Sequence, residues 1–286
     1  MHEITLSLIE VVNQAFFKHQ PLLNCGLFRI AIGLVNLYNV YRYFWPNRAL
    51  FFGEDGLYPM EEFEKSDMCY GRLSLWNKHI KMDWNHSHIV IMCMISFLCL
   101  TVGFLTPLAA FMSYLTFSSL LNRCPYMISS AEALNRQILF WCIFLGSGSV
   151  LSVDCWLAGN NQFDATGSPI AMRVIQLTIL MVYFKTVISK VMFDEWWDGR
   201  AILHAVQLND TKRFGLPWKM IDSQWKCRIM SRGVLLSEAM LAPGLAFMPQ
   251  AFIPLGIILH LSIGIIFDLT FFSSVMLCSY LLFLPL

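Results

Sequence analysis

Charge is scarce in this sequence. Lys, Arg, Asp and Glu make up 14% of its 286 residues, where an ordinary soluble domain carries about 25%. The net charge of +1, with no basic or Gly-rich phosphate-binding stretch, excludes a case for nucleic acid as partner. Nine cysteines are present, yet no C-x-x-C pair occurs, so neither a zinc site nor a redox motif is supported and no metal is expected. Cys93, Cys99, Cys142 and Cys278 fall inside apolar runs, where a free thiol behaves as a small hydrophobe. Cys69, Cys124, Cys155 and Cys227 fall in connections, and packing explains them better than a disulfide. The N-terminus lacks the basic and apolar regions of a signal peptide, because Glu3 and Glu10 interrupt it.

Apolar sequence takes the place of charge. Hydrophobic residues reach 57%, and seven or eight runs of about 17 to 25 apolar residues use up most of the length, leaving no room for a separate soluble domain. The fold class expected is all-α: a polytopic transmembrane helical bundle of about seven or eight spans, with the lipid bilayer as its partner. Residues 1–20 read as an amphipathic helix at the interface, and residues 21–286 as a single transmembrane domain.

The chain is organised around Ala171 to Gly199, an apolar run that carries Lys185 and Lys190 near its far end. Gln176, Tyr183 and Lys190 recur at intervals of seven, so on an α-helix they drift by only about 20° per step and share one polar face. An intramembrane lysine costs roughly 2.5 to 3.5 kcal/mol on insertion scales and faces a cavity or a partner by default. Snorkelling to the headgroups is the competing reading, favoured for Lys185 and less so for Lys190. A Lys190 to Asp194 pair at i, i+4 is the simplest structural account of the second lysine.

Along the chain, a first span over about 25–45 contains Arg29, Asn36, Asn39 and Arg42, so one side of it must face protein or water. A Gly- and Pro-rich loop, FFGEDGLYP, follows. Toward the end of residues 60–87 His79, Asp83 and His86 lie close together, with His88 just beyond, but Trp76 and Trp84 favour an interfacial belt over a metal site. Spans over 88–105 and 107–121 are hinged at Gly103 to Pro107. A fourth is expected over 136–153, with Asp154 at its boundary. The last third offers two or three more, with Glu238, His260 and Asp268 as its ionisable intramembrane candidates. Lys and Arg concentrate in the connections 46–87, 122–136 and 194–232, which the positive-inside rule places in the cytoplasm.

Several scattered pieces occur in a telling order: FRIAIG at 28–33, FFGEDGLYP at 51–59, SVD at 152–154, VYF-x5-K at 182–190 and W-x-x-G at 196–199. Together they resemble the HTTM family, the transmembrane domain of vitamin K-dependent γ-carboxylase and its bacterial relatives, which include membrane proteins that mature a sporulation-delaying toxin. The resemblance spans residues 24–286. It implies that Lys190, matching the family's Tyr-x6-Lys lysine, is a base that deprotonates a reduced quinone such as vitamin K hydroquinone. Tyr183 keeps the family's spacing to it, and a dry cavity would protect a strongly basic intermediate from water. Ala131 stands where the carboxylase has a catalytic histidine.

Two functional expectations follow. One is a small membrane enzyme acting on a quinone-like or other lipid-soluble substrate. In it Lys190, Tyr183 and His260 are the catalytic candidates, and Gln176, Arg29, Asp154 and Glu238 line the cavity. The other is a non-catalytic membrane partner for maturation or export of a small secreted peptide, in which the polar face only holds helices together.

Overall fold

The first long helix shows how sparse polar residues become an interior. In the computed structural model, Leu23–Asn39 forms α1, which continues as a π-helical turn over Val40–Phe44. Its buried face carries Arg29, Asn36 and Asn39 beside Phe28, Ile32 and Val40. Residues 16–53, 55–65, 86–160, 165–207 and 223–284 are described, with positions 10, 13, 75 and 163. The segment expected at 1–20 lies largely outside them, as do His79, Asp83 and most of the basic run before residue 223. Contacts gather the chain into two compact units that divide between Arg173 and Val174.

In the first unit, α1 is followed by α2 (Arg48–Phe52), α3 (Met60–Lys65), α4 (His86–Val102), α5 (Thr106–Arg123), α6 (Ser130–Cys142) and α7 (Val153–Leu157). A two-residue antiparallel clasp joins β1 (Gln20–Pro21) to β2 (Thr166–Gly167). Helix α4 packs on both α1 and α5, and α5 packs on α6. Across the interior the amides of Asn36 and Asn135 bond each other twice, at 3.0 and 2.6 Å, so neither side chain is left unsatisfied in a place without water.

The hairpin expected at Gly103 to Pro107 joins α4 to α5. Gly103 sits at φ 71°, a conformation open to glycine, and a Cβ there would collide with the Arg29 guanidinium and Ser152. The expected fourth span differs. It begins earlier, at a capping box made by Ser129 and Glu132, and its helix stops at Cys142. Gly146 at φ 66° and Leu151 at φ 47° then turn the chain, so 136–153 is a short helix and a turned return rather than one span.

The second unit holds α8 (Ile170–Val191, whose first turn straddles the unit boundary), α9 (Asp194–Asp198), α10 (Arg200–Gln207), α11 (Gln224–Phe247), α12 (Pro249–Ile266) and α13 (Thr270–Ser279). A 3-10 turn over Tyr280–Phe283 extends α13. The run expected to reach Gly199 breaks at Phe193, which is extended at φ −116°, ψ 126° and starts α9. Helix α12 packs on α11 and α13, while α9 and α10 pack on α11 around Ile202 and Cys227.

Among the described residues, three helices are long and apolar enough to cross a membrane: Leu23–Phe44, Ile170–Val191 and Pro249–Ile266. Twenty-two residues, the length of the first two, rise roughly 33 Å against a hydrocarbon core of about 30 Å. Two shorter apolar helices, Ser87–Val102 and Thr270–Phe283, accompany them. The protein is a helical bundle with membrane-spanning character.

Candidate functional site

Helix α8 delivers Gln176, Tyr183 and Lys190 to the second unit, each to a different partner. Gln176 donates from Nε2 to the Leu282 carbonyl at 2.6 Å. Tyr183, only 2% exposed, lies 2.7 Å through its hydroxyl from His260 Nε2 on α12, and the same hydroxyl bonds the Tyr280 hydroxyl. Lys190 Nζ reaches Glu238 Oε1 on α11 at 2.5 Å and lies 4.6 Å from the centre of the Trp196 ring. The pair is largely buried, with side chains 16% and 7% exposed. The seven-residue recurrence thus places three polar groups along one helix face, and the helices that follow supply what they bond.

The structure departs from the i, i+4 pairing of Lys190 with Asp194. Helix α8 ends at Val191 and Asp194 opens a separate helix, so the two are not one helical turn apart. The carboxylate that meets Lys190 comes from 48 residues later. Among the described residues, two atoms of this cluster are buried without a hydrogen-bond partner, Glu238 Oε2 and His260 Nδ1. A buried polar atom left unmatched costs about 1–3 kcal/mol, so each of the two has capacity for a further hydrogen bond.

Arg29 and Asp154 belong to the first unit and brace its hairpin. Arg29, 1% exposed, donates from Nη2 to the Leu151 and Val150 carbonyls at 2.5 and 3.5 Å and from Nη1 to Leu100 at 3.4 Å. Asp154 accepts from the Leu105 and Thr106 backbone N–H groups and the Thr106 hydroxyl, each at 2.7 Å. It thereby caps α5 at the end where the helix dipole favours an anion. FRIAIG, the Gly103 hairpin and SVD are therefore three parts of one polar knot.

Two features of the sequence went unread. Tyr280 completes the His260 and Tyr183 chain; its signal was a phenol inside an apolar terminal run, where a buried hydroxyl must find a partner. Arg123 is the other. It is 1% exposed and donates to the Tyr58 carbonyl at 2.6 Å and the Phe52 carbonyl at 3.4 Å, which pins FFGEDGLYP from both ends.

No family model, curated protein or solved structure matches this chain.

Asp154 carries a pH prediction. Partial burial opposes its ionisation, but the Thr106 N–H and hydroxyl, the Leu105 N–H and the Arg29 charge outweigh that and hold its carboxyl below the ordinary aspartate value. A carboxyl with a depressed native value stabilises the fold fully above its unfolded value, about 3.9. It loses that contribution as pH falls through the lower native one. Thermal unfolding of purified protein should therefore show a midpoint that drops below about pH 4, and Asp154→Asn should lower the neutral-pH midpoint and flatten this acid limb.

Proposed function

We propose that the chain is a polytopic membrane protein of the HTTM type, with seven or eight spans. In this reading the second unit is a small membrane enzyme for a quinone-like or other lipid-soluble substrate, and Lys190 is its base. The observation that carries the proposal is that α8 bears the largely buried Lys190 and Glu238 pair and, about two turns earlier on the same helix, the Tyr183, His260 and Tyr280 chain. A snorkelling lysine would end in water or phosphate; this one ends on a carboxylate and an aromatic face. The unpartnered Glu238 Oε2 and His260 Nδ1 fit a ligand with polar oxygens on an apolar body. A reduced quinone would supply an acidic hydroxyl there. The pair shares one proton and would take the quinol's as a second: the Lys190 proton would pass to the Glu238 carboxylate, and the amine so freed would accept the quinol proton. Tyr183 and Gln176 fix the helix face.

A second reading has its own support. An ammonium neutralised at 2.5 Å also staples α8 to α11, as expected of a non-catalytic partner that matures or exports a small secreted peptide. Lipid extraction of the full chain purified in detergent, followed by mass spectrometry, separates the two. Retention of a quinone or isoprenoid by the wild type and its loss from the Lys190→Met/Glu238→Leu double variant supports the enzyme. A bundle that carries no such molecule, or retains it equally in both proteins, supports the staple. Lys190→Arg adds a second check, since arginine keeps the ion pair but stays protonated: activity should vanish while stability holds.

A further inference from the structure

Lys190 stands one residue before the end of α8, a position from which a lysine ordinarily snorkels, its flexible four-carbon stem carrying the ammonium out to headgroups and water. Here the side chain turns inward and is 16% exposed. The ion pair with Glu238 is by itself a weak reason for that, since desolvating two charges offsets most of their attraction. What lies over the ammonium is the Trp196 ring, whose centre is 4.6 Å from Nζ, within the range of a cation–π contact.

The ring is seated from both sides. The chain breaks at the extended Phe193 and enters α9. Trp197, the outward neighbour at 42% exposed, donates from Nε1 to the Val191 carbonyl at 3.0 Å, which ties α9 back to the last residue of α8. Gly199 follows at φ 87°, and a Cβ there would collide with the backbone of Cys227 and Arg228 on α11. Glycine therefore lets the turn after α9 lie directly against that helix, and Arg228 Nε donates to the Asp198 carbonyl at 3.4 Å. The tryptophan and the glycine of W-x-x-G are the two ends of one strap: the first lies over Lys190, the second against α11, the helix that also carries Glu238.

We infer that Trp196 is a positioning residue that covers Lys190 at the boundary end of α8 and holds its ammonium on Glu238, away from water. The cover stands whatever the pair does. Its bearing on chemistry rests on the enzyme reading, in which excluding water protects a proton transfer at the amine.

The test is amine labelling of the full-length protein in lipid nanodiscs with trinitrobenzenesulfonate, a charged reagent that stays in water, each lysine being followed by peptide mass spectrometry. Lys65, whose side chain is 63% exposed, is the internal reference, and wild-type Lys190 should react far more slowly. Trp196→Ala should raise the Lys190 rate about tenfold, and Trp196→Phe, which keeps a ring face, should retain most of the protection. Lys226, in the first turn of α11, should not change with it, as it would if Trp196 only held α9 and α11 together. Should Trp196→Ala expose the buried Cys227 thiol to maleimide, Trp196→Gln takes its place, because glutamine fills volume without a ring. A wild-type Lys190 as reactive as Lys65 overturns the cover. An unchanged rate in Trp196→Ala shows that Glu238 alone holds the lysine and overturns the role of Trp196, as does an equal rise at Lys226. A Trp196→Phe rate equal to that of Trp196→Ala overturns the contact through the ring face. Failure of the enzyme reading is scored separately, by lipid extraction and the Lys190 and Glu238 variants, and leaves the cover standing.

Discussion

Lys190→Met should destabilise the second unit by about 3–5 kcal/mol, because it leaves a buried carboxylate without its counter-charge. Glu238→Leu should do similar damage by stranding the ammonium. The double variant Lys190→Met/Glu238→Leu should recover most of the loss, since apolar side chains of similar volume replace a buried ion pair at little or no cost. The measurement is a double-mutant cycle of unfolding midpoints in one detergent; a double variant as unstable as the sum of the singles would show that the two groups act independently. This also decides how activity must be read. The single Lys190→Met change confounds loss of a base with loss of fold, because Glu238 is 6% exposed and keeps one oxygen without a partner. The double variant removes the base and the charge imbalance together.

The polar face of α8 was legible because its spacing is local: residues seven apart on one helix must share a side. What each of them meets was not. Glu238, His260 and Tyr280 lie 48, 77 and 97 residues beyond the α8 residue each bonds, and no periodicity reports contacts across that separation. The nearer Asp194 would pair with Lys190 only on a helix continuing past Val191, and the extended Phe193 ends it there. The same limit explains the fourth span. Hydropathy alone sees an apolar stretch from 136 to 153, whereas the left-handed turns at Gly146 and Leu151 are set by what the returning chain packs on. Gly146 could have been read as a break. Leu151 could not, because its conformation is held by the Arg29 guanidinium on its carbonyl.

Arg29 is where the second large effect is expected. Its guanidinium meets three carbonyls, from the end of α4 and from the turned segment before α7, and Asp154 supplies a nearby opposite charge. Arg29→Leu keeps the apolar stem but strands the Val150 and Leu151 carbonyls, that of Leu100 keeping the Gly103 N–H at 3.2 Å, and it removes the counter-charge, so a loss of about 3–5 kcal/mol is expected. Arg29→Lys should recover less than half of it. An ammonium is a point donor that cannot span carbonyls arranged for a planar fork. Because Leu151 holds a left-handed backbone that a branched side chain adopts only at a cost of order 1–3 kcal/mol, release of its carbonyl should let the turn relax first. Hydrogen exchange in detergent would register this as faster exchange at Asp154, whose N–H bonds the Gly103 carbonyl at 3.0 Å, before any loss of protection in α1. If α1 and the turn instead lost protection together, Arg29 would be holding the whole helix in place rather than the turn.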